Sequence, residues 1–334
     1  MERFRKALPL LFSVGLISWL ISRISVDQLA RAAATLRWQL LVPMTAAMVV
    51  LVYLWDAYCL PIVFARGDAR LSYGRMLHVR GRSYLLSALN QGLGQATLAW
   101  HVARIERMPL VSALSRSIVL ACHDGFVLCS AALVGSLLSG SPRAAHIRPF
   151  CVVILSALVA AALIVGLSPR AWRRRWRQTQ WGAWLDGWTW RRSLHLVLLR
   201  VGYFAILGSY VAAALRICAL DVAPATALAA VPLVLMAGVL PSASGLGTRE
   251  TALYLLLPTG RPDVLLAMGL IWSTGMLVFR LGIGFAWLGF DKYGDAPVAR
   301  LRGGILPAPP TSTGKRPLPP NAPADNSRFS EVPQ

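Results

Sequence analysis

The chain has 334 residues, 56% of them hydrophobic, and carries a formal net charge of +20, with a mean hydropathy of +0.56. One soluble core has no use for so much apolar surface, so the composition excludes a simple globular protein and indicates a polytopic membrane protein. The arginines gather at the ends of apolar runs and have no spacing that fits RNA or DNA; nucleic acid is excluded as a partner, and the charge is assigned to loops that face anionic phospholipids at the cytoplasmic surface.

Arg3, Arg5 and Lys6 precede the apolar run Ala7–Ser22, and no small-x-small cleavage site follows before Arg23, so this run reads as an uncleaved first span. A second span covers Leu40–Pro61. The arginines after it (Arg66, Arg70, Arg75, Arg80 and Arg82) read as a cytoplasmic loop, which puts the N-terminus in the cytoplasm as well. Tyr84–Trp100 is interrupted at Asn90-Gln91-Gly92-Leu93-Gly94, and neither half reaches the roughly 20 residues that cross a bilayer. Leu110–Leu138 and Phe150–Leu167 are long enough to span.

Between residues 170 and 192 the chain interleaves arginine with Trp172, Trp176, Trp181, Trp184, Trp188 and Trp190. That pattern predicts a helix lying in the interface with its indoles at headgroup level. Leu194–Leu220 and Val264–Phe290 complete six full spans. The fold class expected is therefore all-α, a polytopic transmembrane helical bundle filling residues 1–294, followed by a disordered proline-rich cytoplasmic tail over 295–334. The membrane expected is the plasma or inner membrane, with both termini cytoplasmic.

A second break falls between the last two spans. Pro241 disfavours helix at the residue before it, Ser242, Ser244, Gly245 and Gly247 let the backbone turn, and Thr248 is positioned to cap a new helix carrying Arg249 and Glu250 in its first turn. Irregular backbone at membrane depth persists only where protein buries it or a wet cavity hydrates it, so both breaks read as re-entrant hairpins. The same offset of 153 positions relates Gly92 to Gly245, Gly94 to Gly247 and Pro109 to Pro262. With the charge-derived topology, this predicts an inverted repeat whose broken elements meet near midplane. The candidate substrate contacts are Asn90, Gln91, Gly92 and Gly94 in the first hairpin and Ser242, Ser244, Gly245, Gly247, Thr248, Arg249 and Glu250 in the second.

Within the spans, His123 and Asp124 fall near the middle of the third and Arg280 near the middle of the last. A charge at the bilayer centre costs about 2.5–3.5 kcal/mol on insertion scales, so Asp124 and Arg280 are expected to pair or to face one aqueous cavity. Asp56, Arg200 and Arg216 lie nearer span ends, where snorkelling is open to them, and carry less weight. Cysteines 59, 122, 129, 151 and 218 sit in apolar segments without a C-x-x-C pair, and the histidines are scattered. Neither metal nor cofactor is expected, and no catalytic constellation is visible.

The stretch PSASGLGTRE, followed by an apolar helix, resembles the transmembrane domain of the lysylphosphatidylglycerol synthase family, also called flippase-like, over about Leu8 to Asp291. Its most specific piece is Gly245-Leu246-Gly247-Thr248-Arg249-Glu250. The first hairpin departs from the family pattern, carrying Gln95 and Leu98 where a Glu and an Arg are usual. The resemblance implies lipid translocation without a synthase domain, the substrate being a lipid with an anionic or zwitterionic headgroup. The alternative is a membrane-embedded transferase, or an accessory subunit, acting on a polyprenyl- or hopanoid-type lipid; a scaffold built on the proline-rich tail is a third reading.

Overall fold

A computed structural model describes residues 15–289 other than 17, 21, 66–70, 141, 178, 180, 186–187, 240–244 and 258. The run Ala7–Ser22 therefore lies largely outside the described residues, and Pro241, Ser242, Ser244 and the proline-rich segment lie wholly outside them. Among the described residues there are helices and no strands. In chain order they are α1 (Val26–Thr35), α2 (Trp38–Phe64), α3 (Tyr73–Leu89), α4 (Gln91–Ile105), α5 (Leu110–Leu138), α6 (Pro142–Leu167), α7 (Arg170–Arg177), a 3-10 turn (Gly182–Leu185), α8 (Trp190–Ile217), α9 (Pro224–Ala237), α10 (Thr248–Leu256) and α11 (Pro262–Gly289).

Five of these, α2, α5, α6, α8 and α11, are long and apolar enough to cross a membrane. They correspond to the second through sixth spans read from the sequence. α6 stands at the periphery: only 6% of its apolar window is buried, against 56% for α2 and α11. A lipid-facing helix of this kind needs no partner for its apolar side chains, since hydrocarbon already solvates them.

Both sequence breaks are real interruptions of helix. Asn90 is extended (φ −159°, ψ 136°) and its side-chain oxygen accepts from the amides of Gly92, at 2.7 Å, and Leu93, capping α4. Gly94 then faces Ser87 across the tip so closely that an added Cβ would stand 2.8 Å from the Ser87 Cα. In the second hairpin Gly245 and Gly247 hold φ of 83° and 85°, conformations that cost other residues about 1–2 kcal/mol. Gly247 is the cap of α10, and Glu250 Oε2 accepts its amide at 2.7 Å. Thr248, expected as the cap, is instead the first helical residue and donates to the Gly245 carbonyl, because the carboxylate one turn on already satisfies the free amide.

Two further expectations are corrected. The first hairpin begins at Tyr73, so Arg75, Arg80 and Arg82 lie on α3 and are not loop residues. Their charge hid an amphiphilic limb whose apolar face (Met76, Val79, Tyr84 and Ala88) is buried. The block 170–192 is not one interfacial helix: α7 ends at Arg177, Thr179 folds back on the Trp176 carbonyl, and Arg191 and Arg192 already belong to α8. α1 has no counterpart in the span reading. Its ten residues are too few to cross, and it is fixed by a reciprocal cap between Ser25 and Gln28.

Beside two small clusters, the described residues form two large apolar cores. One gathers Leu41–Val52 of α2 and Tyr203–Cys218 of α8 with α9, α10 and α11, around the second hairpin. The other gathers Cys59–Phe64 of α2 and Leu196 of α8 with α3, α4 and α5, around the first. On α2 the seam falls at Asp56, on α8 at Arg200. We expect Gly94→Val to drive the limbs of the first hairpin apart at a cost of about 1–3 kcal/mol, and Gly247→Ala to cost about 1–2 kcal/mol. Both should appear as lowered midpoints in thermal unfolding of detergent-purified protein, whereas Gly166, with nothing within 4 Å of its added Cβ, should accept alanine without loss.

Candidate functional site

α11 is the element against which both hairpins pack, and they run onto it from opposite ends. Going up α3, His78 meets the ring of Trp287 (centroids 5.4 Å apart), Leu85 lies against Gly284, and just past the limb Gln91 Oε1 accepts from Arg280 at 3.5 Å. Going back down α10, Leu253 and Glu250 lie against Gly269, and Arg249 reaches Met276 Sδ at 3.7 Å. The tips therefore converge on one turn of α11, Met276 to Arg280. Small residues on α11 make this possible, because Gly269 and Gly284 leave no side chain where the limbs cross.

The seam between the two cores is charged. Asp56, 2% exposed, pairs with Arg80, whose Nε lies 2.5 Å from one oxygen, and accepts from Arg200 Nη1 at 2.6 Å on the other. Arg200 turns its remaining donors to Asp124, Nε to Oδ1 and Nη2 to Oδ2 at 3.0 Å, and its guanidinium carbon lies 3.9 Å from the centroid of the Tyr203 ring. Arg80 and Arg280 approach the ring of Tyr84, at 5.0 and 5.3 Å. Arg249 is buried between Gly238 and Gly245, 5.7 Å from the ring of Trp272. In this layer four buried guanidiniums face Asp56, Asp124 and Glu250, an imbalance in a low-dielectric setting that favours an added negative charge.

This arrangement corrects the sequence reading of the intramembrane charges. Asp124 pairs with Arg200 rather than Arg280. Asp56 and Arg200 were discounted for lying near span ends, but both helices extend past the apolar runs and carry these residues to the seam, where they are buried. Arg80, read as a loop residue, is the third member of the network. Sequence offered one usable sign, an Asp inside an apolar run with no partner on its own helix. His123 stands apart: its Nε2 is 2.7 Å from Ser193 Oγ and its ring is 5.8 Å from Trp188, so it faces the start of α8. Of the proposed contacts, Gln91, Arg249, Glu250 and Gly245 come together at the tips, beside Arg280. Gly92 is exposed in the first turn of α4, and Asn90 serves that helix as its cap.

The glycines related by the 153-position offset are used differently. Gly92 and Gly94 are helical, and Gly94 permits close approach, whereas Gly245 and Gly247 hold left-handed backbone ahead of their helix. The two prolines do correspond: Pro109 precedes α5 and Pro262 begins α11.

Fold and site together define a polytopic helical membrane protein with a charged interior layer between two broken helical hairpins. The chain belongs to the lysylphosphatidylglycerol synthase TM region family, whose pattern it matches over residues 6–284. A comparison with curated proteins finds no match. Membership makes this a membrane domain with a lipid-related role.

Removing one partner of a buried ion pair typically costs about 3–5 kcal/mol, because the other charge is stranded. Asp56→Leu strands the guanidinium of Arg80 and takes one of its two carboxylates from Arg200, and should be the most destabilising change in the layer. Asp56→Leu combined with Arg80→Leu should recover most of the loss, since Arg200 keeps Asp124. Thermal melts of Asp56→Leu, Arg80→Leu and the double variant check the coupling.

Proposed function

We propose that the chain moves a lipid with an anionic or zwitterionic headgroup between the leaflets of a cell membrane. The observation that carries this reading is the convergence of two hairpins, entering from opposite ends of α11, on a single turn flanked by buried arginines. Broken elements that meet from opposite sides are the working parts of inverted-repeat carriers, in which access alternates as one half rocks against the other. In this reading each hairpin closes the route from one side, and the headgroup occupies the charged layer while its acyl chains stay in the bilayer. The phosphate rests against the guanidinium of Arg249, in the first turn of α10.

Topology follows the same reading: N-terminus and proline-rich tail in the cytoplasm, with the tryptophan and arginine segment against anionic headgroups on that face. Lipid transfer needs no bond broken in the substrate, which suits a layer made of arginines and their counter-ions.

Purified protein in liposomes should accelerate transbilayer movement of a fluorescently labelled phospholipid. A hydrogen bond to a charged group is worth about 1.5–3 kcal/mol, so Arg249→Ala should slow that movement roughly ten- to a hundredfold. Wild-type protein that leaves the rate of empty liposomes unchanged, or an Arg249→Ala variant as fast as wild type, counts against the proposal.

A further inference from the structure

Arg280 is the cation that the buried network leaves over. Its side chain is 5% exposed, its Nε has no hydrogen-bond partner, and its contacts are the long bond to Gln91 Oε1 at 3.5 Å and the ring of Tyr84. Among the described residues no carboxylate lies within 4.0 Å of it, since Asp56 is taken by Arg80 and Arg200, and Asp124 by Arg200. Arg249 touches Met276, one helical turn before Arg280, so two buried guanidiniums lie at neighbouring levels of α11. A buried charge left without a counter-ion is expensive, and so is a pair of like charges drawn together in a low dielectric.

Both costs fall if an anion sits between them. We propose that Arg280 is the principal ligand of a singly charged phosphate ester held at the hairpin tips, with Gln91 and Arg249 beside it. The charge follows from the formal count of groups in the layer among the described residues: four guanidiniums face three carboxylates, which leaves room for one negative charge. A guanidinium presents its donors in a fixed fork that matches two phosphate oxygens, and Gln91 adds an amide donor once its oxygen is turned away. This assignment rests on the translocation reading for its lipid source, but the anion site itself stands on the geometry.

The experiment uses the full chain in a maltoside detergent, which carries neither phosphate nor charge, and follows thermal unfolding by tryptophan fluorescence. Dihexanoyl phosphatidylglycerol should raise the midpoint saturably, and dihexanoyl glycerol, which lacks the phosphate, should not. Inorganic phosphate separates the sources: a shift as large as the lipid's assigns the site to free phosphate and overturns the lipid assignment. Arg280→Gln should weaken the apparent affinity for the short lipid at least about tenfold, while its midpoint without ligand stays at or above wild type because a buried charge has gone. Arg280→Lys, which keeps the charge but loses the fork, should bind more weakly than wild type and more tightly than Arg280→Gln.

A ligand shift in Arg280→Gln equal to wild type overturns the proposal, as does a large fall of its unliganded midpoint together with unchanged affinity, which would mark a packing role. The two readings fail separately. Protein that binds through Arg280 yet moves no lipid in vesicles sinks translocation alone, and protein that moves lipid with Arg280→Gln unaffected sinks this site alone.

Discussion

Everything in this bundle is arranged around one carboxylate. Asp56 lies in a helix that otherwise reads as a plain membrane span, and a buried charge of that kind is stable only with cations beside it. Arg80 and Arg200 supply them from two different helices. To bring Arg80 there, α3 must lie along α2; to bring Arg200 there, α8 must cross on the other side. Once Arg200 is in place, its free edge fixes Asp124 and with it α5. Four helices are thus held at one level by a chain of charge-assisted bonds, and apolar packing fills the space above and below.

The same layer divides the molecule. Each apolar core encloses one hairpin, and the hairpin tips come to the seam. Bundles held only by apolar packing in lipid gain little from sliding two such halves apart or together, since hydrocarbon solvates either surface. A polar layer between them changes that, because water or a headgroup can enter where side chains already carry charge.

Much of the fold was legible from hydropathy and from breakers. The five long apolar helices stand close to where runs of apolar residues put them, and Asn90 and the Gly245–Gly247 stretch interrupt helix as their chemistry requires. What hydropathy missed was polar in composition but buried in place. α3 carries His78, Arg80 and Arg82, so its residues score as a loop although most of one face is packed. Partnership within the charged layer was not legible either. Asp124 and Arg280 lie at similar depth in repeat-related spans, but depth is one coordinate, and a pair also needs facing azimuths, which period alone does not supply across two helices whose rotation is set by tertiary packing. The capping of α10 was missed for a related reason: Thr248 and Glu250 both suit the role, and the glycine at 247 decides between them by freeing the amide that the carboxylate takes.

The first hairpin is held unevenly. At its base, the ring of His78 stands against Trp287, and Trp287 fills the space over Gly81; at its tip, a hydrogen bond of 3.5 Å joins Gln91 to α11. An arm clamped at one end and lightly latched at the other turns about its clamp. Small rotations at the indole would then become the largest displacements at Gln91, so Trp287, about two helical turns past Arg280, would set how freely that latch swings.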